Sequence, residues 1–90
     1  MAIGPGDKVR IQCDVRPGPF SGERLISFES LEGIISGFVK ERELEAVGGE
    51  WYISGVVQEV HQEDVVVKVR GSFFTTNGIA SMSRNLAVAA

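Results

Sequence analysis

The chain is short of most residues that carry chemistry. It has one cysteine, Cys13, and one histidine, His61, in 90 residues. A lone cysteine excludes an intramolecular disulfide and any zinc site built on several thiolates. With a single histidine, a metal would have to rest on carboxylates, yet no spaced acidic loop of the EF-hand kind is present. No metal and no cofactor is therefore expected. No apolar run approaches the roughly 20 residues that span a bilayer, and Met1-Ala2-Ile3-Gly4-Pro5-Gly6 has neither a basic nor an apolar leader region. Reduced thiol and missing leader together set the expectation of a cytoplasmic protein without membrane contact. No surplus of positive charge exists either: the formal net charge is −3. A dedicated non-specific DNA binder needs clustered Lys and Arg on a basic domain.

What the chain does have is period-two alternation. Val9, Ile11, Cys13 and Val15 alternate with Lys8, Arg10, Gln12, Asp14 and Arg16, the pattern of a strand with one buried and one wet face. Pro17-Gly18-Pro19-Phe20-Ser21-Gly22 breaks both helix and strand ladders and reads as a loop. Ile26 and Phe28 resume the alternation, Leu31-Glu32-Gly33 turns, and residues 34–39 give a third strand. Gly37 within it predicts a bulge or a close backbone approach. Residues 40–45 fit one 3₁₀ or helical turn, too short for a packed helix. Gly48-Gly49 is a turn before a long strand over 51–60, interrupted at Gly55. Residues 65–70 are rich in β-branched side chains that favour strand. Asn77-Gly78 predicts a two-residue type I′ hairpin joining residues 71–76 to a last strand over 79–83. Leu86 to Ala90 reads as a fraying end or a short helix.

These features predict one domain over residues 1–90: an all-β, antiparallel, five- to six-stranded small barrel with a short 3₁₀ turn. A domain this size hides only about 60–65% of its unfolded surface, which makes self-association an accessible way to bury more. Gly6-Asp7-Lys8-Val9-Arg10-Ile11 resembles the first strand of SH3-like barrels, including KOW-type domains. Residues 33–39, followed by an acidic turn ending in Leu44, are similar to the closing segment of bacterial SH3-type barrels. The resemblance covers the first half of the chain and implies a binding module; an Sm-like or OB-like barrel fits the same pattern.

Catalytic motifs are missing. Gly71-Ser72-Phe73 is not the Gly-x-Ser-x-Gly elbow, and His61-x-Glu63 lacks the Pro-Cys-x-x-Cys that a zinc deaminase requires. Glu41, Glu43, Glu45 and Glu50 form an acidic patch that reads as solvated. Cys13, in phase with its apolar neighbours, reads as core, where a thiol is inert. Adjacent bulky residues at Trp51-Tyr52, Val65-Val66-Val67 and Phe73-Phe74 put apolar groups on both faces of three strands. The leading expectation is a non-enzymatic protein-binding module that self-associates, with Phe20, Arg24, Trp51, Tyr52, Phe73 and Phe74 as partner contacts. A second is a nucleic-acid module using Lys8, Arg10, Lys68 and Arg70, all on outward phases. A third is an enzyme whose site is shared between subunits, with Tyr52, Ser72, Thr75 and Thr76 as hydroxyls.

Overall fold

A computed structural model describes residues 3–73 and 77–90. The alternating segments form nine strands: β1 (Lys8–Pro17), β2 (Glu23–Ser30), β3 (Gly33–Lys40), β4 (Leu44–Val47), β5 (Glu50–Val60), β6 (Asp64–Val69), β7 (Ser72–Phe73), β8 (Ile79–Ser83) and β9 (Ala87–Ala89). Two single 3₁₀ turns, Glu41–Glu43 and Arg84–Leu86, interrupt them. All pairings are antiparallel, in the order β7-β3-β2-β1-β5-β6-β8, with β4 on β5 and β9 on β1. The sheet curls into a half-barrel.

Strand β1 belongs to two lobes. Its first half, Lys8 to Cys13, pairs with β5, and β9 pairs with Val9 to Ile11. Its second half, Asp14 to Pro17, pairs with β2. The period-two pattern then puts one side of every strand inside. Val9, Ile11, Ile53, Val57, Val65, Val67 and Met82 of one lobe pack against Ile26, Phe28, Ile35 and Val39 of the other. The β2–β3 turn reaches across the curl, where Leu31 N–H donates to the Ser81 carbonyl of β8 at 2.9 Å.

Nine strands replace the expected five or six because β4, β7 and β9 are four, two and three residues long. Pieces that short show no periodicity of their own and exist only through their neighbours. The Asn77-Gly78 hairpin is also corrected. A type I′ turn needs positive φ at both central residues, but among the described residues only glycines have it, Gly78 at 90°. Ser72 and Phe73 of β7 pair with β3, and β8 pairs with β6; residues 74–76 of the expected hairpin lie outside the described residues. Instead Val69 N–H donates to the Gly78 carbonyl at 2.6 Å.

Gly37 is a close approach: an added Cβ would stand 2.4 Å from the Ser72 carbonyl oxygen of β7. Gly55 does not interrupt β5. The strand runs through it, and the irregularity falls later, as a register shift against β6 between Val57 and Glu59. The C-terminal residues neither fray nor form an α-helix, since β9 adds to the β1 edge. Among the described residues no helix is long and apolar enough to cross a membrane.

Candidate functional site

Strands β1, β5, β6 and β8 present a continuous outer side. Register defines its rows. Lys8 lies opposite Val56, Val56 opposite Lys68, and Lys68 opposite Ile79. Cation and apolar side chain therefore alternate across four strands. Val56 is 38% exposed and Ile79 51% exposed. Neither Lys8 nor Lys68 has a carboxylate within ion-pair distance among the described residues. A depression of about 290 Å³ lies beside this row, edged by Lys8, Ser54, Lys68, Arg70 and Glu43.

The next row belongs to Arg10, which faces Ser54 on one side and Val88 on the other. Its Nη1 contacts Glu45 Oε1 at 2.9 Å, and its Cζ lies 5.6 Å from the Tyr52 ring centroid. The guanidinium is thus already engaged by an anion and a π face, while its buried Nε has no partner among the described residues. Gln12, Tyr52 and Glu45 make the third row, and Gln12 Nε2 donates to Glu50 Oε2 at 2.8 Å.

The four expected cations meet this face unequally. Strands β1 and β6 are not neighbours; β5 lies between them, and Val56 separates Lys8 from Lys68. Arg70, one residue beyond β6, reaches the same depression, whereas Arg10 is tied to Glu45. The aromatic set does not converge. Phe20, 71% exposed, stands at the β1–β2 tip, while Trp51 pairs with Cys13. The four steps from Cys13 to Pro17 alone extend roughly 13 Å at strand rise. Arg24 does not flank Phe20 freely: its Nη2 meets Glu41 Oε1 at 3.2 Å. Trp51 and Tyr52 point to opposite faces, as adjacent strand residues must. Phe73 packs edge-on against Phe28, centroids 5.9 Å apart, and so belongs with the core. Phe74, Thr75 and Thr76 lie outside the described residues. Ser72 pairs with Phe38 in one lobe and Tyr52 with Gln12 in the other.

Val56, Ile79 and Val88 were not among the expected contacts. Val56 is legible in retrospect, since it falls on the outward phase of β5 with Tyr52 and Ser54. Ile79 and Val88 come onto the face only through pairing with β6 and β1.

Cys13 is buried and borders a second groove of about 310 Å³ with Phe28, Ile34 and Leu86. Burial, aided by the neighbouring Asp14 charge, pushes its thiol up to about 11, the reverse of an activated nucleophile. His61 is exposed, with Nε2 3.4 Å from Glu59 Oε1. Among the described residues no three His, Cys, Asp or Glu side chains gather where a metal could be held. Known protein families, curated proteins and solved structures offer no match to this chain.

Proposed function

We propose that the chain is a non-enzymatic docking module, a small barrel of SH3-like kind, whose β1-β5-β6-β8 outer face binds an acidic, partly apolar surface of a protein. The row Lys8, Val56, Lys68, Ile79 carries this reading. Two strand spacings put Lys8 and Lys68 about 10 Å apart, with a valine between them and, among the described residues, no carboxylate within ion-pair distance of either one. A partner with carboxylates flanking an apolar side chain would match that row. Covering Val56 and Ile79 would supply the apolar gain, and charge pairing would supply orientation.

A nucleic-acid module is the second reading, supported by Lys8, Lys68 and Arg70, which have no ion-pair partner among the described residues. It is the weaker one. Arg10 is held by Glu45, Glu43 enters the same depression, and Tyr52, an aromatic of the face, is covered by Arg10. Base-stacking platforms need uncovered rings.

A photo-crosslinking residue at position 56, with an exposed control at Ser21, tests the choice in cell extract. Docking predicts discrete protein adducts from position 56 that the control lacks and that Lys8→Glu/Lys68→Glu removes. Adducts equal at both positions would refute the docking face. Adducts that vanish on nuclease treatment would transfer the face to the nucleic-acid reading.

A further inference from the structure

The same face is split by charge along the strand direction, its two ends carrying opposite sign. Along β1 the outward residues run Lys8, Arg10, Gln12, Asp14; along β5, from the same end, they run Val56, Ser54, Tyr52, Glu50. Strands β6 and β4 lie end to end on the far side of β5, because β6 pairs from Gly55 onward and β4 with Glu50 to Ile53. That column runs Lys68, Arg70, Glu45, Val47. One end of the face is basic and the other acidic, about 20 Å apart over six residues of strand.

We infer that a second copy of this chain is an occupant of the face, packed sheet to sheet about a two-fold axis. The axis crosses the strands between the Arg10–Ser54 row and the Gln12–Tyr52 row. This deepens the docking reading and rests on it. A two-fold rotation in the interface plane reverses the strand direction of one copy, so the basic end of each meets the acidic end of the other. Lys8 then faces the partner's Asp14, and Arg70 faces the partner's Glu45. In the same placement Val56 lies over the partner's Glu50 and Lys68 over the partner's Val47.

Joining unlike ends of two identical faces satisfies more charge than joining like ends. Superposing like ends would set Lys8 against the partner's Lys68. The face is small, at the low end of specific interfaces. The dimer is accordingly a concentration-dependent one, weakened by salt as the Debye length contracts from about 30 Å to about 3 Å between 0.01 and 1 M.

Light scattering after size exclusion, at about 200 µM in low salt, tests this; that concentration populates a dimer whose Kd is about 100 µM. Wild type is expected to be dimeric. Lys8→Asp alone and Asp14→Lys alone should each weaken the dimer about tenfold or more, because each reversal strikes two symmetry-related pairs. The double variant Lys8→Asp/Asp14→Lys should recover it, since the axis sets position 8 against position 14. Circular dichroism on every variant separates lost association from lost fold. A monomeric wild type, single reversals without effect, or a folded double variant that stays monomeric would each overturn the inference. The mass of the position-56 adduct keeps the two proposals apart. An adduct of twice the chain mass supports the dimer, and heavier adducts from a monomeric chain leave the docking face standing without it.

Discussion

The two sides of β5 do opposite jobs. Inward, Ile53 and Val57 are buried and Gly55 leaves room for Val67, whose Cγ1 would stand 2.4 Å from any Cβ added there. Outward, Tyr52, Ser54 and Val56 alternate with them and meet water, Arg10 and the two lysines. One backbone thus divides stability from recognition at every second residue. Substitutions three positions apart should have effects of different kinds.

The contrast is broken most directly at Ile53. Ile53→Ala removes a side chain locked between Ile11 and Leu44 and should cost about 2–5 kcal/mol, measured by urea denaturation. A loss below about 1 kcal/mol would mean that the inner side is no tighter than the outer.

Cys13 sharpens the same contrast through pH. A thiol released from the fold ionises near 9.0, whereas in the fold it holds its proton up to about 11. Between these values the unfolded chain binds fewer protons than the native one, so stability falls as pH rises from about 9 to about 11 and is unaffected by this thiol below that window. Chemical denaturation of wild type against Cys13→Ala at matched pH isolates the effect. Equal slopes in the two proteins would place the thiol in water.

The smallest effect belongs to the outer side. Val56→Ala should change stability by no more than about 0.5 kcal/mol while reducing docking. A thermal shift as large as that of Ile53→Ala would erase the distinction between the faces.

Much of this was legible in the chain. The alternation from Val9 to Val15, the Leu31-Glu32-Gly33 turn and the Gly48-Gly49 turn are present as read, and the helical or 3₁₀ turn expected over residues 40–45 is a 3₁₀ turn confined to Glu41–Glu43. Each depends on residues close in sequence. Cys13 was readable as core because its phase matched its neighbours. The region after Val69 was not readable in this way. Asn77-Gly78 carries a strong local turn signal, yet β7 is drawn to β3, where Gly37 leaves no Cβ in its path. Long-range pairing outweighed a dipeptide preference. The aromatic contacts failed for a related reason: Phe73 was visibly apolar, but only its position beside Phe28 made it core. The basic residues were correctly placed outward, while the capture of Arg10 by Glu45, 35 residues away, needed the fold.

By itself the sequence determined which side of each strand faces inward, because side chains alternate along a strand whatever the strand pairs with. It also determined where the tightest turns fall, through glycines that accept positive φ. Tertiary structure decided which strands are neighbours, and hence that Lys8, Val56, Lys68 and Ile79 share one row. Register between distant segments is set by the closure of the whole sheet around its core, which no local stretch encodes.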